Sequence, residues 1–178
     1  MDGNDIYRDA LEALILMAIV AKEARQDTEH RLKGFGADIT APQYRVLRQL
    51  QQGRHTITAL SVAMMVEPAT LVPMIDSLER QGLIRRERDP RDRRRTPIAL
   101  TDLGHEQLGH VPFVHHDEPI ARYFGRLTED DRRAFVQRLR DLVISMHGNE
   151  HAVRHIGDAV RKYFDLGELQ DGKPEQTD

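Results

Sequence analysis

The feature that most limits this chain is the apolar run Ala13 to Ala21, ALILMAIVA, closed by Glu12 and Lys22. It lies in a stretch from residue 6 to about 33 with no Pro or Gly until Gly34 and Gly36, so it reads as part of one long helix. A helix that is apolar on every side has to be covered on every side. The run is too short for a bilayer, which needs about 20 apolar residues. The preceding MDGNDIYRDALE is acidic where a signal peptide would be basic. A chain of 178 residues holds one domain, or one domain plus an arm. The expected cover for this helix is therefore a second copy of the chain, and no membrane partner is expected.

Downstream the helical signals are short and well punctuated. Thr40 with Gln43 forms a capping box, Pro42 falls in the first turn, and Val46, Leu47 and Leu50 make the buried stripe of a helix that Gly53 ends. Thr56 can cap a short helix carrying Leu60, Ala63 and Met64, and Val66, Glu67 and Pro68 make the next turn. A further helix places Leu71, Met74, Ile75 and Leu78 on its core side and stops at Gly82. The period then changes from 3.6 to 2: residues 83–88 and 96–100 read as two strands of a hairpin. Thr101 caps a helix that Pro112 and Pro119 must kink or break. Thr128 starts another, lined by Phe135, Leu139, Leu142, Val143 and Met146, and Val153, Ile156, Val160 and Phe164 suggest one more. The tail from Gly167 reads as disordered.

Helix, short helix, turn, helix and hairpin is the layout of a winged helix-turn-helix, which projects one helix into the major groove of DNA with a loop alongside. Charge supports it locally although not globally. From Arg80 to Arg95 there are eight arginines against Glu87, Asp89 and Asp92, a balance of +5, so the rest of a chain with net charge −3 carries −8. Basic charge gathered at one hairpin of an acidic protein is a footprint for phosphate.

At this point the residues resemble a known family. Asp89-Pro90-Arg91-Asp92-Arg93-Arg94, followed by Leu100-Thr101-Asp102-Leu103-Gly104, looks like the wing of the MarR-type (multiple antibiotic resistance) regulators, with its pattern D-P-x-D-R-R…L-T-x-x-G. Thr70-Leu71 and the run Ile75 to Ile84 resemble that family's recognition helix entering its first wing strand, and Thr40 to Gln43 with Leu60 match its earlier helices. The resemblance covers about residues 10 to 147. It implies a mainly α fold with a small antiparallel β-wing. The winged helix-turn-helix (37–104) is flanked by an N-terminal dimerisation helix (1–36) and C-terminal dimerisation helices (105–166), with 167–178 as the tail. The implied function is a cytoplasmic, homodimeric, DNA-binding transcriptional regulator, a repressor, with double-stranded DNA, its own copy and a small organic effector as partners.

With the apolar positions turned inward, Ala69, Thr70, Val72, Pro73, Asp76 and Ser77 face DNA. They are small or apolar, fit for thymine methyls and one or two hydroxyl bonds but for no bidentate arginine–guanine pair. Arg91, Arg93, Arg94 and Arg95 are assigned to the minor groove and its phosphates. Asp89 and Asp92 are assigned to orienting them, with an ordinary turn as the alternative for each acid. Pro73 departs from the family pattern, where a polar or basic residue often sits. Inside a helix begun at Pro68 it would cost about 3 kcal/mol. The expectation is a late or irregular start with Thr70 as cap, which puts Pro73 in the first turn.

His105, His110, His115 and His116 lie close together beside Asp117 and Glu118. Their spacing fits no established zinc pattern and Pro112 interrupts any common helical face, so surface or interface histidines are expected. A metal-responsive regulator or small metalloprotein built on this cluster is the competing reading. No P-loop, G-x-S-x-G or G-x-G-x-x-G occurs, so neither enzyme activity nor a cofactor is expected. With no Cys, no thiol can sense peroxide. The expected signal is a lipophilic or aromatic compound. The resemblance places its pocket between the dimer helices and the winged domain, where Phe35, Tyr44, Phe113 and His115 are candidates.

Overall fold

A computed structural model describes residues 3–88, 92, 95–109, 111, 118–147, 157, 160 and 161. The chain divides into two compact units, Met1–Ala41 and Pro42–Asp178. The first unit is built on α1 (Gly3–Gly34), the long helix expected from residue 6 onward. It ends where the N–H groups of Gly36 and Ala37 turn back to the carbonyls of Lys33 and Leu32, at 3.0 and 2.9 Å. Most of its apolar side chains are open, Leu32 near its end being buried. Ile6, Tyr7, Leu11, Leu14, Ile15, Leu16, Ile19 and Val20 are each at least half exposed in the single chain.

The second unit carries α2 (Ala41–Gln51), α3 (Ile57–Met64), α4 (Pro68–Arg80), β1 (Ile84–Arg86), β2 (Ile98–Leu100), α5 (Asp102–Gly109), α6 (Pro119–Gly125) and α7 (Glu129–His147). Val46, Leu47, Leu50, Leu60, Leu71, Ile75, Leu78, Ile84, Ile98, Leu100 and Leu108 form its buried core. Thr56 caps α3 by accepting the Ala59 N–H at 3.2 Å. The turn to α4 runs through Met65 in the left-handed region (φ 53°), and the chain direction changes by 116° from α3 to α4. That is the corner of a helix-turn-helix. Among the described residues, no single helix is long and apolar enough to cross a membrane.

The strands are antiparallel, with Ile84 opposite Leu100, Arg85 opposite Ala99 and Arg86 opposite Ile98. They are shorter than the alternation predicts. Beyond Arg86 the Glu87 N–H still reaches the Pro97 carbonyl at 2.8 Å, but Pro97 has no N–H to return. All three residues of β2 are buried, so β2 does not alternate as a half-exposed strand would. On its other edge Ile98 exchanges backbone hydrogen bonds with His55, at 3.1 and 2.8 Å.

One expectation changes. The recognition helix begins at Pro68, with Glu67 in the cap position, and Pro73 lies inside it. The late start at Thr70 is overturned: a proline at the first helical position needs no N–H, and burial of Leu71, Ile75 and Leu78 holds the helix despite Pro73. The helix from Thr101 does not run on, in line with the break expected from its prolines: α5 stops at Gly109 and α6 starts on Pro119. The helix inferred from Val153 to Phe164 and the tail from Gly167 fall almost wholly outside the described residues.

Candidate nucleic-acid interface

The interface is assembled around α4. Leu71, Ile75 and Leu78 are buried and Met74 half-buried, which turns Ala69, Val72, Pro73, Asp76 and Arg80 outward along one exposed face. Thr70 flanks this face and is exposed, while Ser77 on the other flank is half-buried. Ser77 is already engaged: its hydroxyl accepts from Gln43 Nε2 of α2 at 3.1 Å and from Gln81 Nε2 at 3.2 Å. Gln43 thus ties α2 to α4, a link that sequence spacing does not reveal. Arg80 was also missed as a member of this face; it follows Asp76 by one helical turn and donates from Nε to the Asp76 carbonyl at 3.3 Å.

The end of α4 sets the wing. The N–H of Gly82 bonds the Glu79 carbonyl and that of Leu83 bonds the Leu78 carbonyl, both at 3.0 Å, with Gly82 at φ +73°. This termination needs a left-handed residue, which glycine supplies without strain. The motif after β2 locks onto the same corner. The Thr101 hydroxyl donates to the Gly82 carbonyl at 2.6 Å and accepts the Gly104 N–H at 3.1 Å. The Thr101 N–H reaches the Leu83 carbonyl at 3.1 Å. Gly104 packs directly against the Leu83 backbone. L-T-x-x-G is therefore a buckle that fastens the hairpin to the end of the recognition helix.

Electrostatics refine the simple count of arginines. Arg86 points back at α4, bonding Asp76 Oδ1 at 2.6 Å and pairing with Glu79 Oε2. The hydrogen bond with Asp76 raises the pKa of Arg86, burial opposes it, and the charges of Glu79 and Asp76 add to the rise. This cation stays charged wherever the protein is folded. Glu87 takes up two others, Arg54 at 2.7 Å and Arg85 at 2.8 Å. Two of the eight local arginines thus serve to brace the strand, and the cationic surface shifts toward the hairpin end. There Arg88, Arg95 and Asp92 are exposed, and the Arg95 N–H closes a turn on the Asp92 carbonyl at 2.9 Å. Arg91, Arg93, Arg94 and Asp89 lie outside the described residues.

The effector candidates do not share one setting. Phe35 is 52% exposed, whereas Tyr44 is buried with its hydroxyl committed to the Val111 carbonyl at 2.8 Å. Phe113 and His115 lie outside the described residues. Of the four clustered histidines only His105 is described, and it is exposed on α5. Among the described residues no group of three or more His, Asp or Glu side chains is placed to hold a metal.

Comparison with known proteins gives one consistent result. The MarR family model matches residues 39–96, from just before α2 to just short of β2. The transcriptional regulator HosA of Escherichia coli O111:H- is 33% identical over 109 residues, covering 60% of this chain and 78% of its own. Among solved structures, a complex of S. aureus MepR with DNA superposes with a TM-score of 0.65 at 27% identity, over 75% of this chain and 96% of that one. Reduced AbfR bound to DNA gives 0.63 at 27% identity, over 82% and 99%.

Proposed function

Because this chain belongs to the MarR family of DNA-binding transcriptional regulators, we propose that it is a homodimeric repressor that grips a pseudo-palindromic operator and lets go when a small organic effector binds. The observation that carries this reading is the exposed α4 face set beside an arginine hairpin by the Gly82–Thr101–Gly104 buckle. Two such units, one per subunit, would read half-sites about one helical turn apart. The exposed apolar side of α1 supplies a reason to pair, and so do Phe135, Leu139, Leu142 and Met146 on α7. Repression needs only that the operator overlap a promoter in the cytoplasm. An effector acts by binding the DNA-incompetent spacing of the recognition helices more tightly than the competent one. Of the two candidate contacts among the described residues, Phe35 is the exposed one.

The test is a fluorescence-anisotropy titration on a duplex selected by the protein from a random-sequence pool, repeated across salt concentrations. Arg93→Ala/Arg94→Ala is expected to weaken binding to all sequences, and each lost phosphate contact lowers the log–log salt slope by about 0.9. Equal affinity of variant and wild type refutes the wing assignment. In the same assay aromatic or lipophilic compounds should release the duplex and hydrogen peroxide should not, since the chain has no Cys. Peroxide release reversed by a thiol reductant alone would contradict the effector reading, with methionine oxidation checked separately.

A further inference from the structure

Arg48 takes no part in the interface above, yet it is the one buried charged side chain among the described residues, 1% exposed. Its guanidinium, rooted in α2, donates from Nε to the Tyr44 hydroxyl at 2.8 Å and from Nη1 to Gln51 Oε1 at 2.9 Å. Nη2 donates to the Leu108 carbonyl at 3.2 Å and to the Val111 carbonyl. Tyr44 donates its own hydroxyl proton to the same Val111 carbonyl, and the cation stands 5.1 Å from the centre of the Tyr44 ring. Leu108 is in the last turn of α5, where the helix dipole is negative, and its carbonyl also accepts the Val111 N–H at 3.3 Å. Water or a glycine turn commonly satisfies such an end. Here a rigid five-donor fork from another helix adds to the backbone turn, and burying it is costly unless its donors are bonded. The position of the α5 end relative to α2 is thereby specified in distance and in angle. The chain continues from this point toward α6 and α7.

We infer that Arg48 is a positioning residue: by fixing the end of α5 on α2, it sets how the winged unit is carried by the helices that follow, and so the spacing of the two recognition helices on DNA. The inference rests on the two-half-site reading proposed above. Arg48 and Tyr44 are both buried, so replacing them alters geometry and leaves the DNA-contacting side chains in place.

The experiment uses the full chain and the selected duplex, versions of it with one base pair inserted or removed between half-sites, and an isolated half-site. Wild-type affinity should fall about ten-fold on insertion, because spacing is read by the dimer geometry. In Arg48→Met the same insertion should cost less than about three-fold, with half-site affinity within about two-fold of wild type. Arg48→Lys, a cation without the fork, should fall between them. A merely structural arginine would lower the melting temperature and leave the insertion penalty at its wild-type value. That outcome in a folded Arg48→Met protein, confirmed by circular dichroism, overturns the inference. Should Arg48→Met not fold, Tyr44→Phe keeps the ring and removes the hydroxyl that bonds both Arg48 Nε and the Val111 carbonyl, loosening the clamp, and it is judged by the same two outcomes. A wild-type protein indifferent to insertion would instead remove the two-half-site reading, and this inference with it.

Discussion

A β-carbon placed on Gly104 would overlap the carbonyl oxygen of Leu83 and press on Leu100 Cδ2 at 3.1 Å. The obstacle is backbone, held in turn by the Thr101 N–H, so it cannot swing aside as a side-chain tip would. Gly104→Ala should therefore cost about 3 kcal/mol, at the upper end of what overpacking a core does. Urea denaturation checks this, and a loss well under 1 kcal/mol would show that α5 can slide away from the wing. Arg86 makes a contrasting case. Its two acidic partners are a third or more exposed, so the pairs contribute little each and serve mainly to hold β1 against α4. Its neighbours in sequence look the same on paper. Only the fold separates the two arginines that brace the strand from those turned outward.

At the scale of elements, the recognition helix shows a local rule yielding to its surroundings. Pro73 is interior to α4, where it forfeits a hydrogen bond to the Ala69 carbonyl and crowds that oxygen. The helix persists because Leu71, Ile75 and Leu78 bury one side of it completely, each fully buried apolar chain contributing about 1.5–3 kcal/mol. Pro73→Ala should raise stability by about 2 kcal/mol, the helical penalty of about 3 less the entropy that proline removes from the unfolded chain. A rise in the urea midpoint at unchanged m-value reports it; no rise would mean the helix has already relaxed around the ring. The short wing strands have a comparable cause in Pro97, which lacks the donor needed to extend the ladder.

For the whole molecule, the decisive fact is that the single chain leaves its most apolar segment uncovered. Ile15 and Leu16, in the middle of ALILMAIVA, remain 53% and 54% exposed. Exposed apolar faces of this extent mark interaction surfaces. Sedimentation of the wild type at micromolar concentration should give a dimer, and Ile15→Glu should shift it to monomer or to unfolded protein. A stable, folded wild-type monomer would refute the homodimer.

The sequence alone determined the element types and much of their order. Thr56, Gly82, Thr101 and Thr128 announce helix ends through local hydrogen bonds, and such bonds depend on residues three or four apart. The arginine hairpin with L-T-x-x-G also identified the wing, because that spacing answers to a contact between neighbouring turns. Other features depended on residues far apart in the chain. Nothing around Arg48 predicts that it reaches carbonyls 60 residues away at the end of α5, or that Tyr44 spends its hydroxyl there instead of on a ligand. Gln43 reads as a capping residue, and in the fold its amide reaches Ser77. The start of α4 at Pro68 was likewise settled by burial of its inner face, a term that outweighs the proline penalty and is invisible until the helix has something to pack against.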